Sequence, residues 1–178
     1  MRLIAIWGGT MAIKDSLLPE FDREVALTRK SLERTPDGKF DWQPHKKSMT
    51  LGRLASHLAE IPGWVVDALT TDSFDVAPAG GPKPQAANFS TRAEVLAAFD
   101  KNVKNARAAL QKTSDADWAK SWALLSGGQT IFNMPRTAVM RGFVISHMIH
   151  HRAQFGVYLR MNEVPVPSIY GPSADEGQ

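Results

Sequence analysis

The residues best placed to do chemistry in this chain are histidines. Five are present, at positions 45, 57, 147, 150 and 151. His57 lies three residues after Leu54 and four before Ile61, inside an apolar stripe of helical period. His147 follows Phe143 by four residues, His151 follows by four more, and Phe155 by another four. This i, i+4 pair places two imidazoles on one helix face a turn apart, the geometry by which one helix supplies two ligands to one metal. His150 sits about 100° around the helix from His151, outside the stripe that contains Phe143 and Phe155. His45 precedes the second helical segment and is given no role.

A lone imidazole on an apolar face is usually a hydrogen-bonded core residue. Three of them, if buried separately, need three sets of polar partners, whereas one cation satisfies all three. His57, His147 and His151 are therefore the expected metal ligands. Three neutral imidazoles leave at least one coordination position open, the pattern of catalytic rather than structural sites. The donor set suits Zn²⁺ or Ni²⁺, and Fe or Mn less well. Water in the open position would be acidified and available as nucleophile or base. The outer imidazole N–H groups need acceptors, for which Glu60, Gln154 and backbone carbonyls are the candidates.

Other chemistries find less support. Cysteine is absent, which excludes disulfides, thiolate nucleophiles and Cys-type zinc sites. Ser126-Gly127-Gly128 has the spacing of neither a phosphate loop nor a nucleophile elbow. Glu60, Asp67, Asp115 and Asp117 form no obvious paired-carboxylate site, and Trp42, Trp64, Trp118 and Trp122 read as core or pocket wall. The formal charge of +3 is spread thinly, with Lys46-Lys47 and Lys101, Lys104 and Arg107 as its densest spots, so no nucleic-acid-binding face is expected. No apolar run approaches the ~20 residues that cross a bilayer. The short run Leu3–Trp7 makes a poor export signal, so a cytoplasmic location is expected.

The elements that must position these histidines follow from hydrophobic periodicity. A first helix is expected over about 13–32, on Leu17, Leu18, Phe21, Val25 and Leu32. Thr35-Pro36-Asp37-Gly38 is a turn, followed by an irregular connection anchored by Phe40 and Trp42. A second helix spans about 49–69, capped by Thr50 or Ser48 and kinked near Leu58–Ile61 by Pro62. Residues 70–89 read as a loop. Ser90 is the expected N-cap of a third helix running to about 112, with Glu94 near the capping-box position. Residues 113–135 suggest a small β-hairpin that turns at Ser126–Gln129. A fourth helix spans about 135–161 and begins at a proline suited to a first turn. Residues 1–10 read as a flexible N-terminal extension, and 11–178 as one all-α domain, a bundle of four helices.

Two motifs in this frame resemble the DinB/YfiT-like metal-binding bundles. One is Leu51-Gly52-Arg53-Leu54-Ala55-Ser56-His57-Leu58 with Trp64 after it. The other is His147-Met148-Ile149-His150-His151-Arg152-Ala153-Gln154, followed by Tyr158-Leu159-Arg160, Val164-Pro165-Val166-Pro167 and Ile169-Tyr170-Gly171-Pro172-Ser173. In that family a histidine of the second helix joins two at i, i+4 on the last long helix, the second followed by Arg-Gly-Gln; here the tripeptide is Arg152-Ala153-Gln154. The resemblance runs from Met11 to Ser173. It implies a four-helix bundle, commonly a homodimer, with a divalent metal, often nickel or zinc, in a pocket at one end.

Relatives of this kind include thiol-dependent transferases and maleylpyruvate isomerases. Many other relatives have no assigned activity, so the resemblance does not imply one reaction. It favours a metal-dependent enzyme of the thiol S-transferase or isomerase kind, a hypothesis in which a small thiol is one substrate and Arg152 or Arg160 meets an anionic group. Metal-assisted hydrolysis is the first alternative. A non-catalytic metal-binding or dimerisation module is the second, and it requires a closed coordination shell.

Overall fold

The structure is a computed structural model that describes residues 11–177. The expected N-terminal extension, residues 1–10, lies outside the described residues. Helix α1 (Ile13–Leu32) buries Leu17, Phe21, Val25 and Leu32 along one face. Helix α2 (Leu51–Glu60) starts at Thr50, whose hydroxyl accepts the Arg53 N–H at 3.1 Å; Ser48 does not cap it. Pro62 offers no N–H to the helical ladder, and the chain tightens into a 3₁₀ turn over Ile61–Gly63 before resuming as α3 (Trp64–Thr70). The interruption falls at the proline itself rather than in the turn before it.

Helix α4 (Arg92–Lys112) is capped by Thr91, not by the expected Ser90. The reason is spacing: a capping box needs Ser or Thr three residues before Glu. The Glu94 N–H bonds the Thr91 hydroxyl at 3.2 Å, and the Glu94 carboxylate accepts the N–H groups of Thr91 and Ser90. A short helix α5 (Asp115–Trp118) follows. Past the hairpin described below, α6 (Arg136–Ala138) leads into a π-helical stretch, Val139–Ser146, and then α7 (His147–Met161). The expected fourth helix is thus continuous in direction but not in winding.

The expected hairpin is present as β2 (Ser121–Ser126) and β3 (Gln129–Pro135). Its two-residue turn has φ of +61° at Gly127 and +80° at Gly128, a conformation that glycine adopts without penalty. A bulge between Leu124 and Leu125 leaves Ile131 unpaired, since Leu124 faces Phe132 and Leu125 faces Thr130. A third strand, β1 (Ser73–Asp75), pairs in parallel with β2, inside the segment read as a loop. Three residues carry no detectable period, so the strand is set by its partner. The Asp75 carboxylate fixes it there, accepting the N–H groups of Gly127 at 3.0 Å and Gly128 at 2.7 Å.

The molecule is mostly helical with this small three-stranded sheet at one side. Helix α1 packs on α4 and α7, while α2 packs on α4 and α7 and α3 on α4. Leu54, Leu58, Phe21, Phe99 and Phe155 lie in the main core. A second cluster of Ala68, Trp122, Leu124 and Val139, joined by Phe132 and Phe143, holds the sheet against α3 and the π-helical stretch. Among the described residues no helix is long and apolar enough to cross a membrane.

The irregular connection is pinned to the start of α2 by Leu51 N–H to the Trp42 carbonyl and Gly52 N–H to the Phe40 carbonyl. A Cβ on Gly52 would lie 2.5 Å from Phe40 Cδ1 and 3.0 Å from its Cβ. Gly52→Ala is therefore expected to lower stability by about 1–3 kcal/mol, as overpacking does in other cores. Urea denaturation of the two proteins side by side checks this.

Candidate metal centre

His57 projects from the middle of α2, and His147 and His151 from the first two turns of α7. The Nε2 atoms of His57 and His147 are 3.1 Å apart. His151 closes the triangle, with its ring centre 4.6 Å from each of the other two. One ring nitrogen from each residue falls within 4.8 Å of the other two, so the three histidines can hold a metal ion. The structure leaves His150 exposed on the outer side of α7 and His45 exposed in the connection, where its Nδ1 accepts the Lys47 N–H.

Both candidate acceptors meet the outer nitrogens. His57 Nδ1 lies 3.3 Å from Glu60 Oε2, and His151 Nδ1 lies 2.8 Å from Gln154 Oε1. These oxygens accept hydrogen bonds, so each Nδ1 carries the proton and each Nε2 presents its lone pair to the centre. Glu60 is itself held by Arg53 Nη1 at 3.1 Å and by the Ala87 N–H. Burial pushes its carboxyl up, but hydrogen bonds from His57, Ala87 and Arg53 outweigh this and hold it below the usual value.

Burial is also the main influence on the ligand rings. It pushes His147 down to about 4, assisted by the neighbouring histidines. His151 is lowered for the same reason, against an opposing hydrogen bond to Gln154. Neutral imidazole is the form that ligates metal. Nitrogens held at ~2.0–2.1 Å by a tetrahedral ion sit about 3.3–3.4 Å apart, close to the spacing seen here between His57 and His147. Three neutral imidazoles without thiolate fit zinc or nickel better than a soft or all-oxygen ion.

A cavity of about 440 Å³ opens beside His57, a size typical of small-molecule sites. Trp64 forms the wall nearest the histidines, its ring centre 5.5 Å from His57 and 5.2 Å from His147. It stacks on Phe143 at 5.0 Å, and Phe143 in turn meets Trp122 and Phe132. Trp64 and Trp122 are thus the pocket-wall tryptophans, whereas Trp118 is fully buried in the core. Asp67, Phe74 and the stretch Pro84–Ala86 also line the cavity but were not singled out as a site in the sequence. The i, i+3 spacing of Trp64 and Asp67 was the available signal; Phe74 and Pro84–Ala86 come from segments without period.

The arginines proposed for an anionic group are engaged elsewhere. Arg152 is 3% exposed and pairs with Glu24, itself 5% exposed, at 2.7 Å. It also donates to the Thr28 hydroxyl, the Glu24 carbonyl and the Tyr170 hydroxyl. Arg160 Nη1 bonds Asp175 at 3.0 Å. Both arginines therefore fasten the C-terminal segment to the helices rather than facing the cavity. Lys30 and Arg34 add to this through Glu176, at 2.6 and 2.7 Å.

These contacts hold the carboxyls of Asp175 and Glu176 below their ordinary values. Arg160 is the main cause for Asp175, and Lys30 for Glu176. A carboxyl with a lowered folded pKa adds stability that is complete above its unfolded value and lost as pH falls through the folded one. The C-terminal segment is therefore expected to detach in acid before the helices melt. Hydrogen exchange at Val166 and Ser168, whose N–H groups bond these two carboxylates, should accelerate first as pH is lowered below the usual carboxylate range.

The helices, the histidine cluster and the cavity together define a mostly helical protein able to hold a metal ion. The sequence profile of the DinB family matches residues 11–178, and the chain belongs to that family. It is 28% identical over 162 residues to the uncharacterized protein YrdA of Bacillus subtilis (strain 168), covering 91% of this chain and 90% of that one. Its fold is similar to the crystal structure of a DinB-like protein from Bacillus cereus ATCC 10987, with TM-score 0.69, 21% identity and coverage of 89% and 98% of the two chains. A DinB-like protein (YjoA) from Bacillus subtilis matches with TM-score 0.65, 13% identity and coverage of 88% and 99%. At these identities the two structures speak for the fold alone.

Proposed function

We propose that the chain is a divalent-metal-dependent enzyme of the thiol S-transferase or isomerase kind, with nickel or zinc held by His57, His147 and His151. The observation that carries this is the meeting of three imidazole lone pairs at the edge of an aromatic cavity. When bound, the ion supplies Lewis-acid activation of a low-molecular-weight thiol. The remaining work falls to the chain. Glu60 and Gln154 fix the ring tautomers, and Trp64 and Phe143 shield the centre from bulk water. Arg53 and Glu60 together hold the loop at Ala87 over one side of the cavity. We read the packing of α1, α2 with α3, α4 and residues 139–161 as the four-helix bundle that keeps the two ligand-bearing helices in register.

The test is consumption of 2-mercaptoethanol with a model aryl halide electrophile by zinc- or nickel-loaded protein. Consumption should cease on chelation and in His147→Ala. Equal rates with and without metal overturn the proposal. Hydrolysis of an activated ester, lost in His147→Ala, without any thiol consumption replaces it with metal-assisted hydrolysis.

A further inference from the structure

The cavity beside His57 contains two carboxylates and one arginine, and they are not equivalent. Arg53 is committed to Glu60 and to the Ala87 carbonyl, and Glu60 is committed to Arg53, His57 and the Ala87 N–H. These two charges neutralise each other. Asp67 stands apart. Among the described residues its carboxylate has no hydrogen-bond or ion-pair partner, and burial alone acts on it, pushing its carboxyl up.

A carboxylate left half-buried without a partner is costly, and a cation entering beside it recovers that cost. The surrounding walls suit such a cation. Trp64, Phe74, Trp122 and Phe143 line the same cavity, and aromatic faces attract ammonium groups through their quadrupoles. The cavity volume fits a small molecule rather than a peptide or a nucleic acid strand. The lining offers two chemistries: His57, once metallated with its partners, presents a centre for an electron-pair donor, and Asp67 presents a negative charge for a cation.

We propose that Asp67 and the aromatic walls of the cavity it lines form a cation subsite, which selects a small substrate bearing an ammonium group on an apolar body. This rests on the reading of the cavity as the substrate site of the metal centre. Asp67 is a binding residue here and has no assigned part in bond making.

The test uses the full chain and two probes of equal shape, benzylammonium and benzyl alcohol, at neutral pH. Binding is followed by tryptophan fluorescence, because Trp64 and Trp122 stand in the wall, and by saturation-transfer NMR. Benzylammonium is expected to bind about tenfold more tightly than the alcohol, in line with a partly desolvated cation held by a carboxylate and aromatic faces. The preference should fall below about twofold in Asp67→Asn and persist in Asp67→Glu, since only the charge matters to it.

Equal affinity for the two probes in the unmodified protein overturns the subsite without recourse to any variant. An undiminished preference in Asp67→Asn overturns it as well. Metal content is measured on the same preparations. Protein that binds metal without an ammonium preference refutes the subsite and leaves the metal reading standing. Protein that prefers ammonium but binds no metal refutes the metal reading and supports the subsite.

Discussion

His57→Ala, His147→Ala and His151→Ala should each weaken zinc or nickel binding by at least about 100-fold, more than the ~10–100-fold that accompanies loss of an outer partner. Removing one of three imidazoles leaves two nitrogens in a partly dry site, and Glu60, already committed to Arg53 and the Ala87 N–H, is a poor substitute for the third. The described residues offer no other His, Asp or Glu cluster with this geometry. Gln154→Ala should fall in the lower range, because His151 keeps its Nε2 but loses the acceptor that orients it. His150→Ala should leave affinity unchanged, which separates the ligand pair from its exposed neighbour. Competition against a chromogenic chelator measures the five variants beside the unmodified protein. Metal bound only to the folded state also raises the melting temperature, and that rise should vanish in the three ligand variants. Metal content unchanged in His57→Ala and His151→Ala would sink the assignment.

Arg152→Ala is expected to be the most damaging single change outside the metal centre, at about 3–5 kcal/mol of stability. The loss comes less from the missing attraction than from what stays behind. Glu24 would remain buried with its carboxylate uncompensated, keeping only the Tyr170 hydroxyl as a donor. Arg152→Lys should recover only part of the loss, since a single ammonium cannot reach Glu24, Thr28 and Tyr170 from one position. A double change to Arg152→Met and Glu24→Met should be far milder than Arg152→Ala, because it removes both charges together. Equilibrium unfolding in urea reads these differences. A cost below about 1 kcal/mol for Arg152→Ala would mean that the pair is not desolvated in solution.

The histidine triad was legible in the sequence because its signal is periodic. His57 and the 147/151 pair each fall on a helical stripe, and a stripe marks an inward face before any contact is known. Arg152 was misread for a related reason. It adjoins His151 in the chain, yet one residue along a helix turns it to a different neighbour, here Glu24 of α1. Such pairings between distant helices leave no trace in local spacing. Strand β1 escaped for want of length, and Asp67 because a carboxylate's lack of partners is a property of the folded surroundings. The Ser90–Thr91 difference is of another kind: the capping-box spacing was present and favoured Thr91.

The π-helical stretch between the hairpin and His147 bears on how this chain tolerates change in length. A π-helix bonds each residue to one a position further along than an α-helix does, so it accommodates an extra residue over a similar advance. The hairpin is fixed at one end by Asp75, and α7 at the other by Arg152. Slack therefore collects in Val139–Ser146. A relative lacking one residue there can wind the segment as α-helix while both anchors keep their partners. Insertions and deletions accepted at that point would be poorly tolerated one turn later, between His147 and His151.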